Sequence, residues 1–193
     1  MRFIFKHDTA IIAAAFTMCA GPLYAQTSPA SGVVNAQLEL ISGCAIEAGG
    51  GSAQHGGNFG ALNFGAQPGT FTGNLYAQVS GSAGQATKIT CTEDIGTLNV
   101  TVDAGDHPNG GAGVGVGTRA LYNESEDAWV PYEVYSDSTH STAYPTTGDA
   151  VAITIGTPGA AFDLPIYGVA NKTSPNALSD GVYVDKLNVT LTW

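Results

Sequence analysis

The sequence predicts an all-β protein built as an antiparallel sandwich, and three observations carry that reading. Short apolar runs with a period of two recur along the chain between clusters of turn residues. Glycine is abundant, at 26 of 193 residues, and Thr, Ser and Asn are numerous, while no long stretch rich in Glu, Lys, Leu and Gln offers a helix. Without helical segments between the runs, the strand-helix-strand units of a parallel sheet have no material to form from. With 44% hydrophobic and 11% charged residues, the chain is also too apolar and too weakly charged for intrinsic disorder.

Taken in order, the first element is a leader. Arg2 and Lys6 precede an apolar run at 10–20 (AIIAAAFTMCA), and 21–25 (GPLYA) breaks that run before Gln26, which is the layout of a secretory signal peptide over 1–25. The run is well short of the ~20 residues that cross a bilayer, and nothing later is long enough, so the mature chain is expected outside the cytoplasm with no transmembrane segment. Cleavage removes Cys19 and leaves Cys44 and Cys91. Two cysteines in an exported protein are expected to pair, a link worth about 4 kcal/mol in the chain-entropy account.

The strands follow from alternation. Residues 98–103 (LNVTVD), 129–135 (WVPYEVY), 151–155 (VAITI) and 162–167 (FDLPIY) each read as a half-buried strand, and 49–57 and 106–117 read as loops. The strongest pattern is the last one. Tyr183, Asp185, Leu187, Val189, Leu191 and Trp193 share one face, which is apolar apart from Asp185, and Val184, Lys186, Asn188, Thr190 and Thr192 share the other. At the opposite end, 31–41 (SGVVNAQLELI) alternates as well, with Gly32, Val34, Ala36, Leu38 and Leu40 on one parity. The pattern alone leaves open whether this N-terminal strand pairs within its own domain or fills a missing position in another subunit.

Several motifs then occur in a fixed order: 42–44 (SGC), 58–65 (NFGALNFG), 89–91 (ITC), 119–123 (RALYN), 130–137 (VPYEVYSD), 164–168 (LPIYG) and 181–193 (GVYVDKLNVTLTW). Together with the cysteine pair they resemble the spore coat protein U domain family, which includes subunits of archaic chaperone-usher pili of the Csu type. The resemblance covers essentially all of 38–193. It implies an incomplete immunoglobulin-like sandwich that lacks its final strand and is completed in a fibre by the N-terminal segment of the next subunit.

On that resemblance, 26–37 is expected to be the donor extension and 38–193 the pilin domain. Gly32, Val34 and Ala36 are the residues expected to enter the groove, although Val33 leaves the register open by one. The C-terminal strand residues Tyr183, Leu187, Val189, Leu191 and Trp193 are the acceptor candidates. The implied partners are other copies of the chain or related pilins, a periplasmic chaperone and an outer-membrane usher, and the implied location is a cell-surface fimbrium. The implied function is a structural, adhesive, biofilm-promoting fibre. About eighteen residues separate the leader from Cys44, from which a stalk or adaptor subunit is expected.

Other functions find weaker support in the residues. Lys+Arg number 6 against 16 Asp+Glu, a net charge of -10, which disfavours nucleic-acid binding because phosphate neutralisation needs clustered cations. His7, His55, His107 and His140 have no ligand-like spacing and read as leader or exposed-loop residues. Asp103, Asp106 and Asn109 do not match a calcium loop, and 115–120 (GVGTRA) is a turn without a surrounding strand-loop-helix unit. No enzyme, cofactor or metal is therefore expected. Two alternatives remain: a free-standing coat or matrix protein, and a lectin-like adhesin using the rings of Trp129, Tyr132, Tyr135 and Tyr144.

Overall fold

The computed structural model describes residues 30–47, 52–53, 57–81 and 84–193. The signal-peptide expectation over 1–25, the start of the donor extension at 26–29, and His55 lie outside them. The chain divides into two compact units, Met1–Glu39 and Leu40–Trp193. In the first, residues 30–39 form no strand, and Val33, Val34 and Leu38 are 90%, 93% and 81% exposed. The strand expected over 31–41 is therefore not formed, since the segment has no pairing partner in this structure.

The second unit contains, in order, β1 (Cys44–Glu47), β2 (Ser52–Ala53), β3 (Ala61–Leu62), β4 (Gly73–Ser80), β5 (Lys88–Cys91), β6 (Thr97–Val102), β7 (Arg119–Asn123), β8 (Ala128–Tyr135), β9 (Val151–Thr154), β10 (Phe162–Asp163), β11 (Tyr167–Lys172) and β12 (Val189–Thr192). The strands form three antiparallel sheets ordered β10-β5-β1-β2, β3-β4-β11-β8-β7 and β12-β6-β9, and no helix occurs among the described residues. Ile89 of β5, Leu98, Val100 and Val102 of β6, Val130, Tyr132 and Val134 of β8 and Ala170 of β11 belong to one buried cluster. The sheets therefore share a single core, as an antiparallel sandwich requires.

Local sequence accounts for most of this. In β6 every second residue is an aliphatic side chain with no exposed surface, the signature of a half-buried strand. The disulfide joins Cys44 to Cys91, which sit opposite each other in the β1–β5 ladder. Gly117 is needed because a Cβ there would meet the Tyr132 carbonyl oxygen at 2.4 Å; the turn expected over 115–120 does not form, because this stretch is pressed against β8 and enters β7 at Arg119.

Three further expectations need correction. The run at 162–167 is not one strand: β10 pairs with β5 and β11 with β4 and β8, and the chain crosses between sheets at Leu164, Pro165 and Ile166. Pro165 has no N–H to give a ladder, while Leu164 and Ile166 are fully used in the core. Within the stretch read as a loop at 49–57, β2 pairs Ser52 and Ala53 with Glu47 and Ile46. The C-terminal strand is regular only from Val189 to Thr192, because its earlier part changes partner. Val184 exchanges two backbone hydrogen bonds with Tyr122 of β7, at 2.8 and 3.0 Å, before the chain joins β6.

Candidate functional site

An open groove of about 890 Å³ runs along the C-terminal strand. One wall is β12 and the extended chain before it, and the other is the 57–62 segment carrying β3, with Ile46 of β1. Both β12 and β3 stand at the end of their sheets, and both line the same opening. Val79, Leu121, Tyr132 and Ile166 line it from the core side; Val79, Tyr132 and Ile166 belong to the buried cluster and Leu121 packs against it.

Alternation along the C-terminal segment builds the wall. Tyr183, Asp185, Leu187, Val189 and Leu191 are half-buried, and Val184, Lys186, Asn188, Thr190 and Thr192 are exposed. All five residues expected from the sequence, Tyr183, Leu187, Val189, Leu191 and Trp193, line the groove, with Trp193 at its rim at 51% exposure. The β12–β6 ladder opens with the Asp103 amide donating to the Asn188 carbonyl at 3.1 Å. Hydrogen-bonded pairs alternate in an antiparallel ladder, so the backbone groups of Val189 and Leu191 point to the open edge.

Two carboxylates fasten this wall, a role that apolar periodicity does not reveal. Asp185, whose side chain is 1% exposed, accepts hydrogen bonds from the Tyr132 hydroxyl at 2.7 Å and the Asp106 amide at 3.0 Å and lies 3.2 Å from His107 Nδ1. Burial first, and then Asp185, push the Tyr132 phenol well above its ordinary range, which keeps it a neutral donor. Asp103 accepts from the amides of Gly105 and Asn188, both at 3.0 Å, and from the Asn188 side chain at 2.6 Å. Burial works against the charge of Asp103, but the hydrogen bonds from Asn188 and Gly105 and the nearby Arg119 outweigh it, so its pKa lies below the usual carboxylate value.

Because the folded pKa of Asp103 is lowered, its stabilisation is fully present above the ordinary carboxylate range near 4 and is lost as pH falls through that range. The thermal midpoint is therefore expected to be flat from neutral pH to about 5 and to fall below about 4. Asp163, held down chiefly by its hydrogen bond from Lys88, and Asp137, held down chiefly by Thr139, act in the same direction. Asp103→Asn should lower the midpoint at pH 7 and flatten only part of the acid slope. An unchanged slope would remove Asp103 from this account.

The remaining expectations are placed as follows. Gly32, Val34 and Ala36 lie in the unpaired first unit. His107 and His140 are not simple exposed-loop residues: His107 packs against Tyr122 and Trp129, with ring centroids 5.0 and 5.4 Å away, and His140 packs against Tyr76 and Tyr135 at 5.1 and 5.4 Å. Tyr132 and Tyr144 are 2% and 1% exposed, and Trp129 is stacked on Tyr122 at 4.0 Å, so the rings named for sugar binding are engaged within the protein. The Asp103 oxygens named for calcium are occupied by protein donors. What the groove offers is the open edge of β12 over an apolar floor, a surface that suits an added strand.

A family model described as the Spore Coat Protein U domain matches residues 30–190. No curated protein matches the chain. Among solved structures, the chain is similar to one from the CsuC-CsuE chaperone-tip adhesion subunit pre-assembly complex of the archaic chaperone-usher Csu pili of Acinetobacter baumannii, with 13% identity and a TM-score of 0.44. That match covers 80% of this chain and 40% of the other.

Proposed function

The chain belongs to the Spore Coat Protein U domain family, and from that premise we propose that it is a structural subunit of a surface fibre, polymerised by strand donation between copies. The observation that carries this reading is the open groove between two sheet ends, in a chain whose 30–41 segment alternates in apolar character and lies exposed. An uncovered groove of this kind leaves core side chains and backbone hydrogen-bonding groups in water. An added strand satisfies both at once. Because the donor of each copy enters a different copy, the contact propagates instead of closing.

The same reading supplies the partners and location. The family resemblance supplies a periplasmic chaperone to cover the groove before assembly, an outer-membrane usher, export across the inner membrane and a fimbrium at the cell surface. The fibre is adhesive and biofilm-promoting, and its role is structural rather than catalytic. The test is deletion of residues 26–41 from the mature chain, with filaments scored by negative-stain microscopy. The deleted chain should fold with its disulfide intact and form no filaments of its own. Filaments from the deleted chain would overturn the reading, and a stable monomer from the intact chain would favour a free-standing coat protein.

A further inference from the structure

Resting on that reading, we infer that the segment a subunit gives to its neighbour runs through Leu40, with Leu38 and Leu40 as its chief apolar fillers, and that Ile41 alone is the free tether between successive subunits. The donor expected from the sequence, 26–37, offers only Val34 as a sizeable side chain between Gly32 and Ala36. The same parity continues to Leu38 and Leu40. Neither is used by its own core: Leu38 is 81% exposed, Leu40 85%, and the adjoining Ile41 80%. Three large apolar residues that close together on an exposed segment mark a surface meant to be covered.

Parity and length agree with the groove as the cover. Gly32, Val34, Ala36, Leu38 and Leu40 share one parity of an extended chain, while Asn35, Gln37 and Glu39 share the other with Val33 and Ile41 at its two ends, so the central stretch of that second parity is polar. Nine extended residues span about 30 Å at ~3.3 Å each, and the groove wall from Tyr183 to Trp193 spans about 36 Å by the same measure. The apolar parity would meet the floor formed by Val79, Leu121 and Ile166, and the polar parity would face water.

The tether follows from where the chain becomes fixed to its own body. The Ser42 hydroxyl bonds the Asp94 carboxylate. The Gly43 amide donates to Thr92 Oγ1 at 3.2 Å, and the Thr92 amide donates to the Gly43 carbonyl at 2.9 Å. The chain is therefore anchored from Ser42 onward, immediately before the Cys44–Cys91 disulfide. A donor ending at Leu40 leaves one residue between the groove of one copy and the anchored strand of the next, so neighbouring bodies must abut.

The experiment uses the full mature chain and compares Leu38→Asp, Leu40→Asp, Val34→Asp and Gln37→Asp for filament yield and assembly rate. Each of the two leucine variants is expected to slow assembly by roughly 30-fold or more, the size of an interface hot spot, and Gln37→Asp to leave it near wild type. Thermal midpoints of the unassembled variants should match the parent, since these side chains are exposed, which separates lost assembly from lost folding. A second arm inserts four Gly/Ser residues between Ile41 and Ser42: filaments should still form, with a longer subunit repeat and greater bending. If the leucine variants assemble normally while Val34→Asp does not, the donor ends before residue 38; this inference falls and the fibre reading stands. If every variant and the 26–41 deletion assemble normally, both fall. An unchanged repeat after the insertion would overturn the one-residue tether.

Discussion

Replacing Arg119 by methionine is expected to remove about 3–5 kcal/mol of stability, the usual cost of stripping one partner from a buried ionic cluster, from a domain whose total is of order 5–15 kcal/mol. The Arg119 side chain has no exposed surface. Its guanidinium donates to the carbonyls of Asp103 at 2.7 Å, Val102 at 3.1 Å and Tyr144 at 3.2 Å, and to Glu133 Oε1 at 2.6 Å. Methionine fills much of the volume and satisfies none of these acceptors. A lysine keeps the charge but not the fork, so Arg119→Lys should fall between parent and Arg119→Met.

A comparison with Glu133→Gln locates the energy. Three of the four acceptors are main-chain carbonyls at the end of β6 and before β9, whereas Glu133 keeps 15% of its side chain exposed and can turn toward water. Glu133→Gln alone should therefore cost much less than Arg119→Met, as read from chemical denaturation. Equal costs would mean that the ion pair, and not the capture of carbonyls, is what Arg119 supplies. The consequence reaches the groove, because the Val102 and Asp103 carbonyls belong to the stretch against which Asn188 and Val189 lie.

How much of this was legible in the sequence depends on whether a residue's role is set by its neighbours along the chain or across the fold. The strands at 98–103, 129–135 and 151–155 were readable because apolar alternation reports a half-buried strand wherever it pairs. The facing of Tyr183, Leu187, Val189 and Leu191 was readable for the same reason. Gly73–Ser80 alternates too, with Leu75, Ala77 and Val79 on the face opposite Asn74, Gln78 and Ser80, so β4 was equally legible, and its ladders with β3 and β11 set its place in the sheet. Asp185 broke the apolar face for a reason visible only in space, where Tyr132, Asp106 and His107 converge from distant segments. Alternation at 31–41 was legible as a pattern, but the segment forms no strand in this structure, and the pattern names no partner, since a donor and an internal strand carry the same alternation.

If copies of the chain polymerise by strand donation, joining a copy of residues 30–41 behind Trp193 through a flexible linker should yield a stable monomer in their place. The linker needs about fifteen Gly/Ser residues, whose contour of roughly 50 Å exceeds the groove length in either strand direction. Tethering raises the effective concentration of the donor to the millimolar range, so the groove fills from within before another copy reaches it. Burying Val34, Leu38 and Leu40 at about 1.5–3 kcal/mol each, less the cost of ordering the added chain, leaves a gain on the order of 3–5 kcal/mol. For a body of this size that corresponds to a thermal midpoint higher by roughly 6–20 °C. The same fusion with Leu38→Asp and Leu40→Asp in the appended copy should lose the gain, because a carboxylate placed over Val79 and Ile166 gives up its hydration without a partner. A fusion that leaves the midpoint unchanged and still forms filaments would show that the groove along Val189 and Leu191 does not receive this segment.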